Sequence, residues 1–122
     1  CMTDVTGFGL VGHLSEMLKE NLSAEIYLDC IPIYRGAEEL SRLGIESTLL
    51  PENLKTPHKK PKSMDNHDKI KLCFDPQTAG GILAIVNQKS VGECQKALSE
   101  AGSSYYLIGE ITKGTKKVHF IG

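Results

Sequence analysis

Apolar side chains recur every three or four residues near the start of the chain, which is the spacing of one face of a helix. This pattern predicts an amphipathic helix from about Gly9 to Asn21. Its apolar positions are Leu10, Val11, Leu14, Met17 and Leu18. The next segment, AEIYLDC, alternates apolar and polar residues and is followed by Pro32, so we predict a strand with one buried face.

Further helices and strands are predicted downstream. The helical patterns are GAEELSRLG, which stops at Gly44, and residues Ser90 to Ala101. The segments IKLCF and GILAIV are predicted strands, and the second is predicted to be central because it is apolar on both faces. YYLIGEI and KVHFI are predicted to pair as a hairpin around TKGTK. This order predicts an α+β fold with a mixed sheet covered by helices, as one domain over residues 1–122.

Residues 51–69 differ in composition from the rest of the chain. They contain three prolines and five lysines, with few large apolar side chains, and bury too little surface to offset the entropy lost on ordering. The sequence therefore predicts an exposed, flexible loop. Its lysines could contact phosphate or RNA, or they could be exposed to water without a partner. The lack of interleaved aromatic residues favours the second alternative, a solvated loop that does not bind nucleic acid.

Composition sets broad limits on function. The 122 residues carry 14 Lys and Arg against 15 Asp and Glu, a net charge of −1, so no global field directs the chain to nucleic acid or to a membrane. No apolar run approaches the roughly 20 residues that cross a bilayer, and no secretory signal pattern occurs. The four cysteines have no CxxC spacing and are predicted to be buried free thiols. We therefore expect a cytoplasmic protein with no membrane partner.

The segment TDVTGFG, residues 3–9, comes directly before the first predicted helix. Helix N-terminal amides suit a phosphate oxygen, and Gly7 and Gly9 let a ligand approach the backbone. The Asp4 carboxylate would repel a phosphate unless a cation lay between them, and Mg²⁺ prefers such oxygen ligands. A simpler interpretation is that Asp4 or Thr6 caps the helix. The spacing alone leaves both interpretations open.

A second candidate segment is DPQTAGG, residues 75–81, which follows one predicted strand and precedes another. It offers polar groups at Gln77 and Thr78 and a flexible backbone at Gly80, although an ordinary connecting loop has the same composition. The four histidines lack metal-binding spacing, and neither a GxxxxGK[ST] phosphate loop nor a Ser-His-Asp order occurs. His13 is therefore interpreted as a surface or hydrogen-bonded residue.

Together, CMTDVTGFGLVGHLSEM at the start and DPQTAGGIL in the second half resemble the C-terminal domain of the selenophosphate synthetase family, also called selenide, water dikinases. The resemblance covers nearly the whole chain and is weak over residues 44–69, where we assign no chemistry to Asn53. The wider group includes aminoimidazole ribonucleotide (AIR) synthetase and thiamine-monophosphate kinase. The resemblance implies the fold of the AIR synthetase C-terminal domain.

The resemblance also implies a reaction and a division of labour. ATP, selenide and water would give selenophosphate, AMP and phosphate, with ATP bound through Mg²⁺. The catalytic residues, a reactive cysteine or selenocysteine and a lysine, would lie in an N-terminal domain outside this chain, and the full-length protein would be a homodimer. Asp4 matches the aspartate that the C-terminal domain contributes to the metal.

Candidate nucleotide contacts follow from the two motifs of the family. They are Thr3, Thr6, Gly7 and Gly9 in the first motif, and Asp75, Gln77, Thr78 and Gly80 in the second. Val11 departs from a frequent leucine, and Ala79 departs from the usual serine, which removes a hydroxyl from the second motif. Two other functions remain open: another ATP-dependent enzyme of the AIR synthetase superfamily, and a non-catalytic interaction domain.

Overall fold

The computed structural model describes residues 1–59 and 67–122 of the chain. Its strands are β1 (Met2–Asp4), β2 (Leu22–Tyr27), β3 (His58–Lys59), β4 (Ile82–Ala84), β5 (Gly109–Lys113) and β6 (Val118–Ile121). Its α-helices are α1 (Gly9–Met17), α2 (Ala37–Arg42), α3 (Leu50–Asn53), α4 (His67–Leu72) and α5 (Val91–Glu100), and short 3₁₀ helices span Leu28–Cys30 and Gln88–Ser90. The expected α+β class, with a mixed sheet and helices, is confirmed.

Four strands form the main sheet in the order β3-β6-β2-β5. β5 runs antiparallel to β2, and β6 runs parallel to β2 along its other edge. The predicted hairpin between the last two strands is therefore wrong, because β2 lies between them. The connection passes around the start of β2, where the buried Ser23 hydroxyl accepts hydrogen bonds from the amides of Thr115 (3.1 Å) and Lys117 (3.2 Å).

One cluster of buried apolar side chains joins α1, the main sheet and the end of α4. Its members include Val11, Leu14, Leu18, Ala24, Ile26, Ile70, Phe74, Leu83, Val118 and Phe120. The Phe74 side chain is fully buried, and its ring centroid lies 4.7 Å from that of His58 and 6.1 Å from that of Phe120. Burial of one such side chain contributes about 1.5–3 kcal/mol. Phe74 thus anchors the chain directly before the DPQTAGG segment.

Two strand predictions are wrong. IKLCF belongs to the end of α4 and the turn that follows it, and its buried side chains, Ile70, Cys73 and Phe74, have the i, i+3, i+4 spacing of a helix. GILAIV contributes only the short strand β4, which pairs with β1 in a separate two-stranded sheet. Ile82 is 69% exposed while Leu83 is buried, so β4 has one buried face and is not a central strand.

The remaining predicted elements are present with shifted ends. The first helix ends at Met17, because Leu18 is already extended. The helix predicted for residues 90–101 is α5, and Gly44 follows α2 in the left-handed conformation at φ 81°. All four cysteines are free; Cys73 is buried, but Cys1 and Cys30 are exposed, so the prediction of buried thiols is wrong for those two.

The segment predicted as an exposed loop, residues 51–69, contains regular structure in its described parts. Residues 51–53 belong to α3, residues 58–59 form β3, and residues 67–69 begin α4. Residues 60–66, which include Lys60 and Lys62, lie outside the described residues. Within residues 1–59 and 67–122, none of the helices combines the length and the apolar character that crossing a membrane requires.

Candidate functional site

The structure brings the TDVTGFG and DPQTAGG segments into direct contact. β1 and β4 pair antiparallel, with Thr3 opposite Leu83 and Asp4 opposite Ile82. The ladder continues where the Val5 amide donates to the Gly81 carbonyl at 2.9 Å. The Gln77 amide donates to the Thr6 carbonyl at 3.0 Å. The two candidate segments, about 70 residues apart in sequence, therefore form one continuous surface.

Two glycines permit this close approach. A Cβ on Gly80 would collide with the Val5 carbonyl oxygen. Gly9 has φ 70°, and a Cβ there would lie 2.7 Å from the Phe74 carbonyl carbon. Side chains at these two positions would push the segments apart. The glycines of the two motifs thus have a packing role that is visible without any ligand.

Asp4 lies on the outer face of the β1-β4 ribbon. Cross-strand partners project to the same side, so the Asp4 side chain shares this face with Ile82, and Met2 lies on it as well. All three are exposed, whereas Leu83, on the opposite face, is buried. Thr3 is half-buried, and its hydroxyl donates to the Asp4 carbonyl at 3.2 Å. The Asp4 carboxylate is therefore presented to solvent, beside exposed apolar side chains.

The interpretation of Asp4 or Thr6 as a helix cap is wrong. The N-cap residue of α1 is Phe8, and no side chain caps this end. Instead, the Gly9 amide donates to the Thr6 carbonyl at 3.0 Å and the Val11 amide donates to the Cys73 carbonyl at 3.0 Å. These two amides are satisfied within the protein. The backbone at Gly7 is exposed, so a ligand can approach the motif there.

The Thr6 side chain has a partner that sequence reasoning missed. Its hydroxyl forms a 3.0 Å hydrogen bond with Nε2 of His13, a buried residue of α1. The His13 Nδ1 atom lies 3.5 Å from a carboxylate oxygen of Glu16, and the His13 ring contacts the Phe8 ring. His13 is therefore hydrogen-bonded, as expected, and it fixes the orientation of the Thr6 side chain.

Side chains of the DPQTAGG segment divide into an inner pair and an exposed tip. The Gln77 side-chain amide donates to Oδ2 of Asp75 at 3.0 Å, and both residues are half-buried. Burial raises the pKa of the Asp75 carboxyl, and the hydrogen bond from Gln77 partly lowers it again. Thr78 and Ala79 are exposed, so Thr78 is the polar side chain of this segment that is most open to solvent.

Asn53 contacts both segments and was not assigned a role from the sequence. Its side-chain Nδ2 donates to the Gly7 carbonyl at 2.9 Å and to the Phe74 carbonyl at 3.0 Å. Asn53 is 9% exposed. A buried asparagine near the start of a polar, proline-rich stretch leaves no periodic signal in the sequence, because its partners are backbone atoms far along the chain.

The described residues contain one exposed carboxylate in the two motifs and no complete set of metal ligands. In residues 1–59 and 67–122, no three His, Cys, Asp or Glu side chains are grouped closely enough to hold a metal ion. Mg²⁺ usually binds through one or two carboxylates plus substrate phosphates and water. The exposed Asp4 carboxylate fits one such ligand. Its hard oxygen atoms are the donors that Mg²⁺ prefers.

Comparison with known proteins identifies close relatives. A family model described as AIR synthase related protein, C-terminal domain, matches residues 1–122. Proteins named selenide, water dikinase are 37% identical over 110 residues in Campylobacter jejuni, 39% over 118 in Carboxydothermus hydrogenoformans and 38% over 111 in Escherichia coli. These alignments cover 90%, 95% and 90% of this chain, but 32%, 34% and 32% of the relatives. The chain thus spans about a third of the length of the curated relatives it matches.

Proposed function

The chain belongs to the family of AIR synthase related proteins, C-terminal domain, and from that premise we propose that it is the C-terminal domain of a selenide, water dikinase. The names of the similar proteins, at 37–39% identity over most of the chain, support this assignment. The observation that carries it is the contact between the TDVTGFG and DPQTAGG segments, whose joint surface exposes the Asp4 carboxylate.

The proposed reaction converts ATP, selenide and water into selenophosphate, AMP and orthophosphate. Bound Mg²⁺ would neutralise phosphate charge during phosphoryl transfer. In this chain Asp4 would hold the metal, with its backbone kept extended by pairing with β4. Because the cross-strand pairing fixes the face on which the side chain lies, only the side-chain rotamer would be ordered when nucleotide binds, which limits the entropy lost on binding.

The other candidate residues would contact the nucleotide from the same surface. The exposed backbone at Gly7 and the exposed Thr78 hydroxyl are suited to phosphate oxygens, since both offer hydrogen-bond donors. Thr3 belongs to the paired strands, Gly80 permits the close approach of the two segments, and the connecting backbone is held through Thr6, Gly9, Asp75 and Gln77. Most of these residues would therefore shape the surface, and only its exposed groups would touch ATP.

The reactive residues and most of the ATP site would belong to an N-terminal domain. The share of the relatives that this chain covers, about a third, supports such a division. We expect the 122-residue chain alone to fold and to show no selenide-dependent ATP hydrolysis. We also expect the full-length enzyme to work as a homodimer in the cytoplasm.

The test is a product analysis of the full-length enzyme. Purified protein is incubated anaerobically with ATP, Mg²⁺ and selenide, and nucleotides and phosphorus species are separated by chromatography and ³¹P NMR. AMP, orthophosphate and a selenium-bonded phosphorus signal, all dependent on selenide, are the expected result. Formation of ADP instead would indicate another ATP-dependent reaction of the superfamily. An absence of any ATP turnover would favour a non-catalytic interaction domain.

A further inference from the structure

We infer that Asn53 is a positioning residue that fastens the TDVTGFG segment to the DPQTAGG segment and thereby aligns their contacts with the nucleotide. The inference rests on the proposed function, because it concerns the same surface. Asn53 lies at the end of α3 and belongs to neither motif. It reaches one carbonyl in the first motif and one carbonyl next to the second, at 2.9 Å and 3.0 Å.

The chemistry of the side chain explains why an amide is needed. A primary amide nitrogen carries two hydrogens, so one Nδ2 atom can donate to two carbonyls at once. The reversed amide would place its oxygen against both carbonyl oxygens, which only accept hydrogen bonds. A serine hydroxyl offers one hydrogen, and a carboxylate or an alkyl group offers none. Among side chains of this length, asparagine alone can satisfy both the Gly7 and Phe74 carbonyls.

The backbone that carries Asn53 is itself held rigidly. Leu50, at the start of α3, is 2% exposed and belongs to the apolar core. The Asn53 amide donates to the Leu49 carbonyl at 3.1 Å, and the Asn53 carbonyl accepts from Thr56 at 3.1 Å. The side chain is therefore presented from a fixed support, which is the arrangement that makes a functional group well oriented.

The carbonyls that Asn53 binds lie where the two segments must keep their spacing. Gly7 precedes the tight contact between Gly9 and the backbone of Phe74 and Asp75. Phe74 is fully buried and is followed by the DPQTAGG segment. Without the two hydrogen bonds, the carbonyl of the buried Phe74 would be left unsatisfied, and the segments would separate to let it reach water. A displacement of about 1 Å can reduce catalytic efficiency about 100-fold.

The test compares N53L with N87L in the full-length enzyme. Leucine has a similar size and no donor. Asn87 is an exposed residue whose side chain is likewise bonded to the backbone, but as the acceptor from the Lys89 amide. At a temperature where circular dichroism shows both variants to be folded, N53L should raise the KM for ATP at least ~10-fold, and N87L should not. A merely structural residue would lower the active fraction and leave KM unchanged, which would contradict the inference.

Hydrogen exchange measured by mass spectrometry provides a readout that does not need activity. In N53L the amides of Val5, Gly9, Val11 and Gln77, whose bonds cross between or support the segments, should exchange at least ~10-fold faster. Amides of β2 should be unchanged. Unaltered exchange at those four amides would refute the positioning role. An inactive wild-type enzyme would instead refute the proposed function, and exchange alone would then decide the role of Asn53.

The variant N53Q keeps the amide donor on a chain one methylene longer. It should fold if N53L does not, because the donor is retained. Its KM and exchange rates should lie between those of N53L and the wild type, since the longer side chain cannot meet both carbonyls in the same geometry. A KM for N53Q as high as that of N53L would contradict the inference, because the retained donor would then have no effect on the nucleotide contacts.

Discussion

The glycine contact between the two motifs gives the most quantitative prediction for stability. In Gly9→Ala, the new Cβ would lie 2.7 Å and 2.8 Å from the carbonyl carbon and oxygen of Phe74, and 3.0 Å from the Asp75 carbonyl oxygen. These atoms are backbone and cannot rotate away. The residue also has φ 70°, a conformation that alanine adopts at a cost. Both effects destabilise the folded state.

The size of the effect follows from these two contributions. The left-handed conformation costs a non-glycine residue about 1–2 kcal/mol, and forcing atoms into a packed region costs about 1–3 kcal/mol. The sum is a loss of about 2–5 kcal/mol in the free energy of unfolding. With an unfolding entropy of about 2.1 cal/mol/K per residue, each kcal/mol lowers Tm by about 4 °C in a chain of this length. Gly9→Ala should therefore lower Tm by about 8–20 °C.

The measurement is urea and thermal unfolding of the 122-residue chain, followed by circular dichroism. Gly7→Ala is the matched control, because no atom lies within 4 Å of a Cβ built on Gly7, and the change should cost less than about 0.5 kcal/mol. If Gly9→Ala unfolds within 0.5 kcal/mol of the wild type, the close contact between the motifs is not rigid. An equal loss for both variants would also refute the reasoning.

Three further predictions concern other parts of the structure. Burial raises the pKa of the Cys73 thiol to about 12. In peptide mass spectrometry, iodoacetamide at pH 8 should therefore label the exposed Cys1 and Cys30 in the native chain, and Cys73 only in urea. Labelling of Cys73 in the native chain would contradict this. Ser23→Ala removes the acceptor for two amides and should cost about 1–3 kcal/mol in urea unfolding, whereas a loss below 0.5 kcal/mol would question the path of the chain around β2. Burial raises the pKa of Asp75 in the folded chain, so the stabilisation from the protonated carboxyl is full below the unfolded pKa and is lost as pH rises through the native pKa. The free energy of unfolding of Asp75→Asn should therefore increase relative to that of the wild type between about pH 3 and pH 7. The same difference in free energy of unfolding at both pH values would contradict this.

The sequence predicted those elements whose pattern extends over several turns. The period of α1 and α5 is long enough to identify a helix, and the alternation in β2 identifies a strand. IKLCF was misinterpreted because five residues contain too little of a helical period to distinguish Ile70, Cys73 and Phe74 from a strand. The order of the strands could not be predicted from the sequence either, because the path of the chain around β2 depends on hydrogen bonds from distant amides to Ser23.

The candidate site was predictable to the level of its two motifs. Glycines and polar residues marked both segments, and the structure brings them together. Their connection through Asn53 was not predictable, because the side chain binds backbone carbonyls that carry no sequence signal. The capping interpretation of Asp4 failed for a similar reason: the sequence places Asp4 before α1, but only the structure shows that it belongs to a strand and lies on its exposed face.

The central proposal is that Asp4 binds Mg²⁺ in the nucleotide site, and its most direct test is the Mg²⁺ dependence of selenide-dependent AMP formation by full-length Asp4→Asn. Because Asp4 is exposed and caps no helix, the variant should fold normally. Asp29→Asn, at another exposed carboxylate, is the control. The Mg²⁺ concentration for half-maximal activity should rise in Asp4→Asn on the order of 10- to 100-fold, the loss typical when a metal site is weakened, and should not change in Asp29→Asn. A Mg²⁺ dependence and rate equal to those of the wild type would show that Asp4 is not a metal ligand.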